Sequence, residues 1–499
     1  MDTPDAVRMT HASNEESKDK VALLPLETNV SLCVDLDGSL IKSNTLWEGL
    51  WLALKTRPLE CLQACLTLGK GRAYFKRRVA KLAVANPSQL PYRKALLTFL
   101  SAEAQAGRPL ILATAADELV AQRVAQHLGL FAHVVASDGV INRKGSDKLA
   151  AIKSITNQFL YVGDSTADIP IWKASVGAIV VGNNRTLLKT LRQSGVTIYK
   201  HFPSQLALLR TIGRAIRVHQ WPKNLLVFLP IFLDHKTMDA MVWKAGLLVL
   251  VVFCLVASVG YVFNDLLDLD ADRQHSTKRN RPFASGDLAI PIGFLLLLIL
   301  GFSGLTLSLF LPITAQLGVA TYFAATLFYS FYLKTRLLAD VIGLAMLYAL
   351  RVIAGGAATA IAISPWTITF CLFFFYSLAL VKRFGELRLL PKHHSVLVRR
   401  GYRKADLSVI AALGVSSGLL SVVVFALYIS SLEAQAHYCS PTLLWLACPL
   451  ILYWFGRIWI LTNRGDIAED PLLFSYKDRV SYIAGACMAI IWLAASVCL

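Results

Sequence analysis

The sequence predicts two architectures in one chain: a soluble α/β domain of Rossmann-like type, then an all-α, multi-span membrane bundle. Three observations predict this. Up to about residue 200, short β-rich runs alternate with helical patterns, as a parallel sheet with crossover helices requires. From about Leu225 onward the chain is a series of apolar runs of membrane-spanning length. The composition agrees: 499 residues, 55% hydrophobic and only 16% charged, with a positive mean hydropathy. That is too apolar for a soluble protein of this size.

The elements follow in order. A polar tail, residues 1–28, contains no apolar stretch of signal-peptide type, so the domain behind it is expected to fold in the cytoplasm. Residues 29–198 hold the β-rich runs VSLCVDLD, PLILATAA, HVVAS, QFLYVGD and AIVVG, with helical patterns such as DELVAQRVAQHLG between them. Helix-like sequence at about 44–92 interrupts the alternation and reads as a small helical cap. Residues 199–222 form a linker in which Arg210, Arg214 and Arg217 recur at helical spacing opposite Leu208, Leu209, Ile212 and Ile216. Two readings fit it: a helix lying on an anionic membrane surface, and a plain connecting helix.

Residues 223–499 carry about nine apolar runs by the twenty-residue criterion. They lie near 224–236, 241–262, 288–310, 313–333, 339–360, 365–382, 408–431, 440–462 and 480–498, the first being short. Loops after the even-numbered runs hold the bases, among them Arg273, Lys278, Arg279, Arg281, Lys334, Arg336, Lys392, Arg399, Arg400, Arg464 and Lys477. The opposite loops hold essentially only Lys236. The basic side is therefore expected in the cytoplasm, with the C-terminus outside. The same distribution argues that the net charge of +18 reflects membrane topology and not nucleic-acid binding. Nine cysteines are scattered, with Cys61 and Cys65 one helical turn apart and no zinc-type pairing. They read as reduced, buried thiols.

In the soluble half, VDLDGSL sets Asp35 and Asp37 at the end of a β-run, where open parallel sheets bind ligands. Thr114 lies towards the end of PLILATAA, Lys148 lies in KGSDKLAAI with Lys144 competing for its role, and GDSTAD supplies Asp164 and Asp168. Phosphoryl transfer needs carboxylates for magnesium, a cation on the phosphate and hydroxyl or backbone donors. This ordered set resembles the haloacid-dehalogenase superfamily of phosphatases over roughly residues 29–195. The resemblance implies Asp35 as nucleophile and Asp37 as general acid/base, with Thr114 and Lys148 on the phosphoryl group. It also implies Mg2+ held by Asp35, Asp37 and Asp164, with Asp168 in support. The competing reading is a domain kept only for membrane docking.

In the membrane half, GYVFNDLLDLDADRQHSTKRNRPFASGD places four aspartates within eight residues, directly after an apolar run. On a helix Asp265, Asp268 and Asp272 share one face while Asp270 points away. Three carboxylates on one face repel unless a cation neutralises them, and magnesium shares its coordination with substrate phosphates. Lys278, Arg279 and Arg281 behind them suit a diphosphate. Arg351 lies inside an apolar run and is a functional candidate by position, snorkelling or pairing with a helix-end carboxylate being the alternative.

NDLLDLDAD fits the NDxxDxxxD motif, and this half resembles the UbiA superfamily of intramembrane prenyltransferases over roughly residues 210–499. RVHQWPKNLLVF, DADRQHSTKRNRPFASG, YSFYLKTRLLADVIGLAMLYALRVIAGG and LVKRFGEL look like the branch that transfers phosphoribose from phosphoribosyl diphosphate onto a polyprenyl phosphate. The second motif of aromatic prenyltransferases, DxxxD, is incomplete: Asp340 is followed by Leu344. Residue by residue, the resemblance implies Mg2+ and diphosphate on Asp265, Asp268 and Asp272, with Asn264 preceding them and Lys223 and Asn224 over the same site. It implies Asp340 orienting ribose or metal. Lys382, Arg383 and Glu386 fit either a lipid-phosphate contact or positive-inside anchors. The implied protein is a bacterial inner-membrane enzyme of cell-envelope biosynthesis, whose hydrolase half would remove the 5-phosphate of the product. Prenyl transfer to an aromatic acceptor is the alternative, and a cation-binding transporter a further one.

Overall fold

A computed structural model of the chain describes residues 24, 27–203, 207–234, 239–275, 277–390, 401–467 and 470–496. Lys236, Lys392, Arg399, Arg400, Cys498 and nearly all of the N-terminal tail lie outside the described residues. The chain divides into two compact units. The first comprises Met1–Ala207 with Asp270–Asn280 and Ala284–Ile290, and the second Leu208–Leu269, Arg281–Phe283 and Pro291–Leu499.

The first unit begins with β1 (Ser31–Val34) and the cap helices α1 (Thr45–Thr56), α2 (Pro58–Leu66) and α3 (Arg72–Leu82). Then follow α4 (Lys94–Gln105), β2 (Leu110–Asp117), α5 (Glu118–Leu128), β3 (His133–Ser137), α6 (Ser146–Lys153) and β4 (Phe159–Gly163). The unit continues with α7 (Ile169–Ala174), β5 (Gly177–Val181), α8 (Arg185–Gln193) and β6 (Ile198–Phe202). The six strands pair in the order β3-β2-β1-β4-β5-β6, all parallel.

Every residue of β1, β4 and β5 is buried, as expected of parallel strands covered on both faces. Side chains alternate between two cores: Leu32, Val34 and Leu160 enter one, and Cys33, Phe159 and Tyr161 enter the other. The crossover helix α5 is set by local chemistry. Asp117 accepts the Leu119 amide at its start, and left-handed Gly129 ends it. β6 was not expected; its run TIYKHF mixes apolar residues with Lys200 and His201, which masks the strand pattern.

The second unit starts with α9 (Leu208–Ala215), a 3-10 segment Val218–Phe228, and α10 (Leu229–Leu233). Then come α11 (Ala240–Leu267) and α12 (Leu269–Gln274), all of which except Leu269 counts with the first unit. The bundle continues with α13 (Ile290–Ser308), α14 (Ile313–Phe331), α15 (Ala339–Thr359), α16 (Pro365–Arg388) and α17 (Leu407–Ile429). It ends with α18 (Leu432–His437), α19 (Ala447–Arg464), α20 (Pro471–Ser475) and α21 (Arg479–Ser496).

Among the described residues, seven helices are long and apolar enough to cross a membrane, α14 not being one of them. Two of the nine expected runs therefore differ. The first is a 3-10 stretch and a five-residue helix, because Pro222 and Pro230 each remove a backbone donor. The fourth is a helix diluted by Thr314, Gln316, Thr321 and Tyr322. The 3-10 segment packs so closely on α15 that a Cβ on Gly355 would lie 2.1 Å from the Val227 carbonyl oxygen.

Cysteine usage also departs from expectation. Cys33, Cys61, Cys254, Cys371 and Cys448 are buried free thiols, but free Cys65 is exposed and Cys439 is disulfide-bonded.

Candidate functional sites

The strand order reverses between β1 and β4, where ligands bind open α/β sheets. In-register pairing ends at Val34 opposite Val162, so Asp35 and Asp164 emerge side by side. Gly38 at φ +79° makes this possible: a Cβ there would sit 2.3 Å from the Asp164 carboxylate. Lys148 Nζ donates to Asp35 at 2.9 Å, to the Tyr161 hydroxyl at 2.8 Å and to Asp168 at 3.4 Å. Ser39 donates to Asp164 at 3.2 Å. Asp35, Asp37, Thr45, Lys76, Thr114 and Lys148 face a cavity of about 260 Å³.

Burial pushes the Asp35 carboxyl up to about 7, with Asp168 and Asp164 adding to the effect and Lys148 opposing it. Asp164 is pushed up to about 6 by burial and by Asp168. Burial also raises Asp37, against the Thr45 hydrogen bonds. Desolvation works against the Lys148 charge, yet Asp35 and Asp168 hold its pKa above the ordinary value.

Ligand atoms of Asp35, Asp164 and Asp168 lie within 4.8 Å of one another. Crowded carboxylates, with Asp35 and Asp164 raised in pKa, suit a divalent cation, so these residues fit magnesium. The expected metal set changes in one member. The Asp37 carboxylate turns away to accept the Thr45 amide at 2.7 Å and the Thr45 hydroxyl at 3.2 Å, at the first residue of α1. Lys148 is the buried lysine, while Lys144 is exposed on the rim. Thr114 is wholly buried within β2, and its hydroxyl accepts the Ala116 amide. Sequence reasoning missed Lys76 of the cap, which donates to the Ala115 carbonyl at 2.7 Å and to Asn142 at 2.8 Å.

In the second unit the polar residues form ion pairs. Asp265 accepts from Arg217 at 2.5 Å and from Arg281 at 3.1 Å. Lys334 pairs with Asp268. Lys223 and Lys382 converge on Asp470 at 2.7 and 3.1 Å. Burial works against the Asp470 charge, but Lys382 and Lys223 hold its carboxyl well below the usual range. Asp340 is fully buried, accepting from Arg383 at 2.6 Å and the Tyr402 hydroxyl at 2.5 Å, while Arg383 also reaches Glu386 at 2.7 Å. Arg351, likewise buried, donates to Asn224 at 2.8 Å, the Leu347 carbonyl at 2.6 Å and the Tyr322 hydroxyl at 2.7 Å. All three partners are neutral oxygens, not the carboxylate that sequence reasoning offered as its alternative.

The single helical face expected for Asp265, Asp268 and Asp272 is broken. α11 ends at Leu267 with Asp268 as its cap, and Asp272 lies on α12. Asn264 contributes its carbonyl to that cap, accepting the Asp268 amide at 2.9 Å. Asp272 is buried and counts with the first unit, as do Lys278 and Arg279. Among the described residues, Asp265, Asp268 and Asp272 do not gather into a cation-spaced set. The expected magnesium does not fit them as they stand, since bases already neutralise Asp265 and Asp268.

Residues 236–481 match the UbiA prenyltransferase family, and residues 31–175 match haloacid dehalogenase-like hydrolases. An uncharacterized protein, y4nM, of Sinorhizobium fredii is 35% identical over 466 residues, spanning 93% of this chain and 90% of its own length. The chain belongs to the UbiA prenyltransferase family. Its UbiA domain, an integral membrane bundle, follows a hydrolase domain in the same polypeptide. The decaprenyl-phosphate phosphoribosyltransferase of Mycolicibacterium smegmatis is 30% identical over 294 residues, covering 55% of this chain and 89% of that protein. A solved structure of a UbiA homolog from Archaeoglobus fulgidus bound to GPP and Mg2+ is 15% identical, covering 57% of this chain and 99% of that one, with a TM-score of 0.45.

In the UbiA domain, sequence reasoning missed Tyr322, Tyr402 and Asp470, and treated Arg217 and Lys334 as linker and loop charge. Arg217 carried one usable signal, lying six residues before Lys223 in the stretch that resembles the family.

Proposed function

We propose that the UbiA domain transfers phosphoribose from phosphoribosyl diphosphate to a polyprenyl phosphate. The observation that carries this reading is the 30% identity to a decaprenyl-phosphate phosphoribosyltransferase over 89% of that protein. The charge balance supports it. Arg217, Arg281, Lys334, Lys223, Lys382, Arg351 and Arg383 are seven bases set among five acids, Asp265, Asp268, Asp470, Asp340 and Glu386. Two substrates that both carry phosphate need such an excess. In the reaction the bond between the ribose anomeric carbon and the diphosphate breaks. A polyprenyl-phosphate oxygen bonds that carbon, and pyrophosphate leaves with its charge on the bases.

The hydrolase domain then removes the 5-phosphate. Asp35 attacks phosphorus to give an aspartyl-phosphate, while Asp37 gives its proton to the departing hydroxyl. Water, losing a proton to Asp37, cleaves the aspartyl-phosphate. Lys148 and Thr114 hold the phosphoryl oxygens. Magnesium held by Asp35, Asp164 and Asp168 would supply charge neutralisation for the phosphoryl group.

The protein is placed in a bacterial inner membrane with the hydrolase domain in the cytoplasm. The disulfide at Cys439 supports this, since that loop then faces an oxidising compartment. The test incubates purified protein with magnesium, phosphoribosyl diphosphate and a polyprenyl phosphate, followed by mass spectrometry of the extracted lipid. A lipid gaining ribose without phosphate supports both domains, and one gaining phosphoribose supports transfer alone. No new lipid, with hydrolase turnover intact, overturns the transfer reading in favour of prenyl transfer.

A further inference from the structure

Cap helix α2 has an unusual surface. Leu59, Leu62 and Leu66 stand at i, i+3 and i+7, so they share one stripe, and they are 80%, 63% and 82% exposed. Leu68 on the following turn is 57% exposed, and Tyr74 at the start of α3 is 43% exposed. The opposite side of α2 is conventional, with Cys61 and Ala64 buried. Single exposed leucines are ordinary, but four within ten residues form a patch that calls for a partner.

The charge around the patch selects that partner. Arg57, Lys70 and Arg72 are all exposed at its edge, against one acid, Glu60, which lies 3.7 Å from Arg57. An apolar stripe with a basic rim is complementary to the interface of an anionic bilayer: leucines enter the acyl boundary and bases meet lipid phosphates. Such a bilayer is always at hand, because this domain is joined to an integral membrane bundle.

We propose that the exposed leucine face of α2, with its rim of Arg57, Lys70 and Arg72, docks the hydrolase cap on the anionic bilayer surface. The docking requires only that the chain be membrane-embedded. Its consequence, that the hydrolase works on a lipid-linked phosphate, rests on the proposed function.

The test uses full-length protein carrying Leu62→Cys in a Cys65→Ser background, labelled with an environment-sensitive fluorophore. Reconstitution into phosphatidylcholine–phosphatidylglycerol vesicles containing nitroxide-labelled lipid should give blue-shifted, strongly quenched emission. Removing the anionic lipid, or substituting Arg57→Glu with Arg72→Glu, should reverse most of the quenching. Water-like emission without quenching overturns the proposal, as does a blue shift that depends on protein density and not on lipid, which marks a second copy. Neither readout uses activity, so failure of the reaction scheme leaves this result intact. As a consequence, Leu62→Glu with Leu66→Glu should slow hydrolysis of a lipid-linked phosphate about tenfold by raising KM. Hydrolysis of p-nitrophenyl phosphate should stay unchanged, and an equal loss on both substrates overturns the link to lipid substrates.

Discussion

The two domains solve the problem of buried carboxylates in opposite ways. In the hydrolase, Asp35, Asp164 and Asp168 crowd together with Lys148 as the base bonded to the group. Burial and mutual repulsion raise Asp35 and Asp164 toward neutral pH. In the UbiA domain, Asp265, Asp268, Asp340 and Asp470 each have at least one dedicated base. The first arrangement invites a divalent cation. In the second, bases already pair with the carboxylates, and the proposed function gives the remaining positive charge to an anionic substrate. A DxD or NDxxDxxxD motif tells where carboxylates stand, but the bases that reach them decide which kind of site results.

This contrast can be broken experimentally. The largest effect is expected from Asp35→Asn, which removes the proposed nucleophile and should lower p-nitrophenyl phosphate turnover by roughly a thousandfold or more. Phosphoribosyl transfer by the same variant should continue, and its loss would end the division of labour. Next, Arg383→Ala leaves the fully buried Asp340 without its cation. Breaking such a pair costs about 3–5 kcal/mol, visible as a lower unfolding temperature in detergent. An unchanged unfolding temperature would mean the pair is not the anchor it looks to be.

Asp268→Asn should reduce transfer by about a hundredfold, a loss typical of removing one preorganised electrostatic partner. Lipid product measured by mass spectrometry at wild-type levels would separate Asp268 from the reaction. The smallest effect concerns pH. Asp35 is raised from an ordinary 3.8 to about 7 in the folded state, so the folded hydrolase binds more protons than the unfolded chain between these values. Its stability is therefore fully present below the lower value and falls as pH rises through the upper one. With chelator present, the hydrolase unfolding transition should occur at lower temperature at pH 8 than at pH 5, and magnesium should restore it at pH 8. A flat profile would show that Asp35 stays ionised without help.

Much of the hydrolase site was legible because its carboxylates end local patterns. Asp35 and Asp164 directly follow β-runs and Thr114 lies within one, and a parallel sheet brings strand ends together whatever lies between them. β6 escaped because an edge strand carrying Lys200 and His201 loses the apolar signal. The cap was legible as helices, but not that Thr45 at its start would capture Asp37. In the UbiA domain the aspartate motif and Lys223 were legible, whereas their partners were not. Lys223 meets Asp470 across 247 positions, and Asp340 meets Tyr402 across 62. No local spacing encodes such pairs. The break after Leu267 was also hidden, since LLDLDAD reads as helix throughout.

The bond at Cys439 and the exposed thiol of Cys65 set opposite demands on anyone handling the protein. A strongly reducing buffer that keeps Cys65 from cross-linking also opens the bond at Cys439. A buffer without reductant preserves that bond and leaves Cys65 free to pair with another molecule. Replacing Cys65 by serine removes the conflict, and it turns sample history into a variable that can be held constant.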